Sequence, residues 1–124
     1  MKVVVTSTGP DLDSRMDSRL GRAEKYVFVD TNTLETIASD NPAGFASAGA
    51  GVQSAKFIVE QGAEAVLTGN CGPNAFSALA AGGVEVYVGS CLTVRDMVEA
   101  FLGGKLRRVS GASVESHFGM RGNS

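Results

Sequence analysis

"AEAVLTGNCGPNAFSALAAGGVEVYVGSC" (residues 63–91) decides the fold. An apolar run at 63–68 predicts a strand, and at Gly69 it gives way to a polar, glycine-bearing loop. Pro73 suits the first turn of a helix, because its missing N–H would be unpaired there anyway. The alanine-rich stretch carries that helix to about Ala81, with Phe76, Leu79 and Ala80 predicted inward. "VEVYV" (84–88) is the next strand, and the alternation of Glu85 and Tyr87 with valines suits a sheet edge. Two short strands joined by one helix make a βαβ unit, so the strands lie parallel with a right-handed crossover.

Working outward, "KVVVTS" (2–7) and "KYVFVD" (25–30) are apolar, β-branched runs that read as strands. "LETIASD" (34–40) alternates as a third, and "TNT" between them predicts a hairpin. Residues 8–24 are a polar, turn-rich loop, and "NPAGFASAGA" (41–50) is a loop of small residues. A helix follows from about Gly51 to Gln61, with Val52, Ala55 and Val59 on one face and Gly62 as its stop. Thr93, with Asp96 three residues on, makes a capping box for a last helix whose stripe is Val94, Met97, Val98, Phe101 and Leu102. The predicted architecture is a three-layer α/β fold of the ribonuclease H-like kind. It has a five-stranded mixed sheet, order 3-2-1-4-5, and three helices. Residues 1–107 form the domain, and 108–124 are expected to be a flexible tail.

Bulk composition narrows the function. A chain of 124 residues with 44% hydrophobic and 19% charged content is an ordinary globular domain. A net charge of −2, only 6% aromatics and no Trp argue against a nucleic-acid partner. No apolar run reaches the roughly 18 residues that span a bilayer, so no membrane partner is expected. The opening "MKVVVTSTG" turns polar too early for a secretory signal, which points to a cytoplasmic protein. A monomer is the expected state.

The chain has two cysteines, Cys71 and Cys91, at matching offsets after strands four and five. Parallel neighbours are about 4.8 Å apart, so the two are expected to face one another across the C-terminal rim of the sheet. That rim is where open α/β sheets bind ligands, and it gathers helix N-termini that attract anions. Three readings of the pair stay open. Paired thiolates are soft metal ligands; two thiols can switch to a disulfide; and each cysteine can simply fill a tight turn.

Three motifs resemble one family. "SRLGRAEKYVFVD" (18–30) is similar to its Arg-Phe-Gly-Arg-Ala segment, with Leu20 where Phe is usual. "GAGVQSAKFI" (49–58) resembles its Gly-Ala-Gly-Ile-Gln segment, and "LTGNCGPNAF" (67–76) its Thr-Gly-Asn-x-Gly-Pro-Asn-Ala loop. With "GSCLTVRDMVEAFLGGKL" they cover nearly all of residues 1–107. The family is that of dinitrogenase iron–molybdenum cofactor biosynthesis proteins, which includes the orange-protein group. The resemblance implies a non-enzymatic carrier for an anionic metal–sulfur cluster or its precursor. The cluster would contain molybdenum, as a molybdenum–copper sulfide or the iron–molybdenum type, and would be held non-covalently, with a protein partner for delivery. Cysteine is not part of the family's pattern at 71 or 91.

The candidate site follows. Arg19 and Arg22 are permanently charged and weakly hydrated, which suits large anions; alternatively they pair with Asp13 or Asp17 in a solvated loop. The loop Thr68, Gly69, Asn70, Cys71, Gly72, Pro73 and Asn74 offers close backbone approach and side-chain amides. Ser90 and Cys91 extend the site to the next strand. Thr6, Ser7 and Thr8 either add hydroxyls or cap the loop. Cys71, Cys91, His117 and Met120 are the candidate metal ligands, with "HFGM" in the tail. Catalysis has little support. Strand one carries no acid for a two-metal nuclease. There is no Gly-x-Ser-x-Gly or Walker-type loop, and a cysteine nucleophile would lack a nearby histidine. A redox-responsive interaction module and a small-anion sensor are the competing readings.

Overall fold

A computed structural model describes residues 1–42 and 49–110. Its elements are β1 (Lys2–Ser7), β2 (Lys25–Asp30), β3 (Thr36–Asp40), α1 (Ala50–Glu60), β4 (Ala65–Thr68), α2 (Pro73–Ala81), β5 (Glu85–Val88), α3 (Val94–Leu102) and β6 (Arg107–Arg108). They form one mixed sheet in the order β3-β2-β1-β4-β5-β6. The five expected strands take their expected order, and a sixth is added. β6 pairs antiparallel with β5 (Val88 opposite Arg107), so β5 is not an edge. Val109 beyond it is buried, and its amide donates to the Val86 carbonyl at 2.9 Å.

β1 is the hinge of the topology. It pairs antiparallel with β2 (Val4 opposite Phe28) and parallel with β4 (Val4 opposite Val66). β4 continues parallel to β5 (Val66 opposite Val86). Every residue of β1 after Lys2 is buried, as a strand covered on both faces requires. Side chains alternate between two cores. Val4, Tyr26, Phe28, Val66 and Val86 pack under α1 and α2 with Ile58 and Leu79. Val3, Val5, Val27, Leu67 and their neighbours pack under α3 with Val94, Met97 and Val98.

Four local expectations change. Leu34 is not in β3; it sits in the hairpin turn with φ 64°. In α1 the fully buried residues are Ser54, Ala55 and Ile58, while Val52 and Val59 are half-buried. In α2 the buried pair is Ala75 and Leu79; Ala80 is exposed and Phe76 half-buried. α2, with four alanines in nine residues, carries a weak apolar stripe, so packing sets its rotation. α3 has a strong stripe and follows the expectation at Val94, Met97 and Val98, but Leu102 is exposed.

Residues 8–24 contain turns but no helix, and they lie along the C-terminal rim. The amide of Asp17 donates to the Thr6 carbonyl at 2.9 Å, and that of Asn70 to the Ser18 carbonyl at 2.8 Å. The loop thus crosses from β1 to the start of α2.

Candidate functional site: a cationic cleft at two helix N-termini

Three segments enclose a cleft of about 410 Å³: residues 19–22, residues 49–52 at the start of α1, and Asn70 with residues 72–75 at the start of α2. Glycines permit the approach. A Cβ on Gly69 would lie 2.6 Å from the Cα of Ser18, and one on Gly21 would lie 2.9 Å from the amide nitrogen of Gly51. Any side chain at either place would push the walls apart. Gly49 opens α1 with φ 74°, a conformation that favours glycine.

Neither helix has a side-chain cap or an acidic residue in its first turn. The first intrahelical bonds are Gln53 to Gly49 and Phe76 to Gly72, each at 2.9 Å. The amides of Ala50, Gly51, Val52, Asn74 and Ala75 therefore have no intrahelical acceptor. Each helix start carries about half a positive charge, and both point into one cleft. Contrast α3, which is closed by its own capping box. The Thr93 hydroxyl accepts from the Asp96 amide at 3.1 Å, and Asp96 accepts from the Thr93 amide at 3.2 Å.

The arginine loop is held from below. Leu20 is buried in the core between α1, α2 and the sheet, while its neighbours Arg19 and Arg22 stay at the surface. The Tyr26 hydroxyl donates to the Leu20 carbonyl. Burial of Tyr26 pushes its pKa up to about 12, so it remains a donor. The Asn41 side-chain amide donates to the carbonyls of Gly21 at 3.0 Å and Ala23 at 2.8 Å, and its oxygen accepts from Ser54 of α1 at 3.2 Å. Asp17 accepts from the Arg19 amide at 2.9 Å, from its Nε at 3.2 Å and from its Nη2 at 3.3 Å. Bonding to Asp17 raises the pKa of Arg19 further. Arg22 makes no ion pair among the described residues.

This cleft sits on the three segments that carry the sequence motifs. A family model described as dinitrogenase iron-molybdenum cofactor matches residues 1–104. The chain belongs to that family. The apo form of the orange protein from Desulfovibrio gigas is 40% identical with a TM-score of 0.86, over 90% of this chain and 95% of that one. The Thermotoga protein TM1290 is 32% identical with a TM-score of 0.79, over 92% and 97%. An uncharacterised Methanocaldococcus jannaschii protein is 29% identical over 99 residues, 77% of this chain and 84% of its own.

Within this family frame the expected site residues divide. Arg19, Arg22, Asn70, Gly72, Pro73 and Asn74 line the cleft. Gly69 stands behind it, against Ser18. Thr68 is fully buried, and its hydroxyl pairs with that of Thr6 at 2.9 Å. Thr6 also donates to the Asp17 carbonyl and Ser7 to the Gly9 carbonyl, so both hydroxyls cap the loop. Ser90 and Cys91 are not in the cleft wall.

The cysteines do not face one another. Cys71 is buried in the core under α1 and α2, whereas Cys91 packs against the core under α3, on the opposite face of the sheet. Both are thiols. Burial pushes the pKa of Cys71 up to about 11, and burial with nearby Asp96 raises that of Cys91. Neither is poised as a thiolate at neutral pH. No group of three or more His, Cys, Asp or Glu side chains that could hold a metal ion occurs among the described residues. His117 and Met120 lie outside the described residues. No helix among the described residues is long and apolar enough to cross a membrane.

Residues 49–52 were missing from the expected site. Their signal is Gly-Ala-Gly ahead of a helix that has no acidic or hydroxyl cap.

Proposed function

We propose that the protein is a non-enzymatic carrier for an anionic, molybdenum-containing metal–sulfur cluster or its thiometallate precursor. The observation that carries this reading is the convergence of two uncapped helix N-termini, Arg19 and Arg22 on one cleft at the C-terminal rim. Amides and guanidiniums hold an anion by charge and hydrogen bonds without replacing its ligands, which suits cargo that must be released. Membership of the iron-molybdenum cofactor family, and 40% identity to the orange protein, support cluster cargo over a generic oxyanion. A molybdenum–copper sulfide and an iron–molybdenum type both fall within this class. The donor set omits Cys71 and Cys91, which lie on different faces of the sheet. A binding role fits the described lining residues, among which there is no nucleophile and base pair.

The same reading has a cytoplasmic monomer pass its cargo from the open rim to a protein partner. It also assigns the fold to the ribonuclease H-like group. What supports that assignment is the order β3-β2-β1-β4-β5 with an antiparallel hairpin on one side and parallel strands on the other.

The test is anaerobic addition of tetrathiomolybdate, with and without Cu(I), to the reduced protein, followed by desalting and a visible spectrum. Charge-transfer bands should co-elute with the protein. They should be lost in Arg19→Ala/Arg22→Ala and survive in Cys71→Ser/Cys91→Ser. A colourless wild type overturns the carrier reading. Bands lost only in the cysteine variant would overturn the donor set.

A further inference from the structure

The two arginines of the cleft are held in different ways. Arg19 is bound through its side chain, by Asp17 at 3.2 and 3.3 Å. Arg22 is exposed and makes no ion pair among the described residues. Its backbone is what is held. The side-chain nitrogen of Asn41 donates at 3.0 Å to the carbonyl of Gly21 and at 2.8 Å to that of Ala23, the residues on either side of Arg22. We infer that Asn41 is a positioning residue for Arg22: it fixes the arginine whose side chain stays open to the cargo, from a place outside the cleft wall.

Asn41 follows β3 directly; it is half-buried and does not line the cleft. A primary amide has one N–H for each of two acceptors, so both of its donors are used on this loop. Its oxygen accepts from Ser54 of α1 at 3.2 Å, which sets the end of the amide that faces the loop. Ser54 is fully buried, so the core fixes that reference point. The backbone amide of Asn41 donates to the Glu24 carbonyl at 3.3 Å and ties the same segment to the end of the loop. Arg22 is thus referred to α1, the helix whose open N-terminus forms another wall of the cleft. Neutrality matters here. A carboxylate in place of this amide would face two carbonyl oxygens and partly cancel the field of Arg22, as Asp17 does for Arg19. The amide holds the loop and leaves Arg22 its full charge and all its donors. Holding the loop beforehand also limits the freedom that binding must remove. This inference rests on the carrier reading and adds to that site a residue that acts from behind it.

The test is a double-mutant cycle read by tetrathiomolybdate affinity, with thermal unfolding to confirm that each variant is folded. Asn41→Ala should weaken binding about tenfold, the low end of what a residue behind a ligand-binding group is worth. Arg22→Ala should weaken it too. In the Arg22→Ala background, adding Asn41→Ala should change affinity by no more than about twofold, because the group it positions is gone. A merely structural Asn41 would cost the same factor in both backgrounds, and that additivity overturns the inference. An Arg22→Ala that binds as tightly as the wild type overturns it as well. The Nε–H NMR signals of the two arginines give a second measurement, which needs neither a stable Asn41→Ala nor a binding Arg22→Ala. Tetrathiomolybdate should shift both signals in the wild type. In Ser54→Ala, which removes the bond that orients the Asn41 amide, the Arg22 shift should fall and the Arg19 shift should not. An equal change in both, or a change in neither, overturns the inference. A wild type that binds tetrathiomolybdate with an additive cycle overturns this inference alone. A wild type that does not bind it overturns the carrier reading as well.

Discussion

Gly69 shows how one residue positions the site. Its missing side chain lets the Ser18 backbone lie against the end of β4, and Arg19 follows directly. Gly69→Ala places a Cβ 2.6 Å from the Cα and Cβ of Ser18, so backbone must move. We expect a loss of about 1–3 kcal/mol in urea denaturation, and weaker anion binding. Cys71 makes a second prediction. Its pKa is pushed up to about 11 from 9.0 by burial, so the folded state favours the neutral thiol. That preference contributes fully below about pH 9 and is lost as the pH rises to about 11. Stability should therefore fall across this window in the wild type and fall less in Cys71→Ala when each is compared with its own value at pH 8. Iodoacetamide at pH 8 should label Cys91 and leave Cys71 until the protein unfolds.

At the scale of elements, the three helices begin in two ways, and the difference follows what each start faces. α3 packs against the sheet and has its first amides satisfied: Val94 and Arg95 donate to the Ser14 and Leu12 carbonyls, and Asp96 donates to the Thr93 hydroxyl. α1 and α2 leave theirs open toward the cleft. Thr93→Ala should cost about 1 kcal/mol, read as a lower Tm, with anion binding unchanged. Adding a cap where there is none should do the reverse. Gly72→Asp places a carboxylate at the N-cap of α2, where a Cβ meets nothing within 4 Å. Helix stability should hold or rise, while tetrathiomolybdate affinity drops about tenfold or more through competition for the same amides.

At the scale of the whole molecule, β6 extends the sheet past the expected end of the domain. Val109 is buried and tied to Val86, so Val109→Ala should cost about 1–2 kcal/mol by chemical denaturation. β6 escaped the sequence reading because it is two arginines long, with exposed side chains and no alternation to see. Its strand identity comes entirely from pairing with β5.

The sequence by itself determined β1 to β5 and their order. β1 and β2 fall on their expected residues, as does α2, because β-branched runs and a proline at a helix start act locally. It also carried three motifs whose residues meet at one cleft. What only the tertiary structure decided was which residues meet. Cys71 and Cys91 stand at equal offsets after parallel strands, yet one enters the core beneath α1 and α2 and the other the core beneath α3. Offsets along the chain count residues; the face a residue takes depends on which side the next helix packs. The cleft likewise joins segments that begin at residues 19, 49 and 70, and no local rule places the start of α1 beside the start of α2. Long-range packing through Gly21, Gly51 and Ala75 makes that contact, and with it the charge of the site.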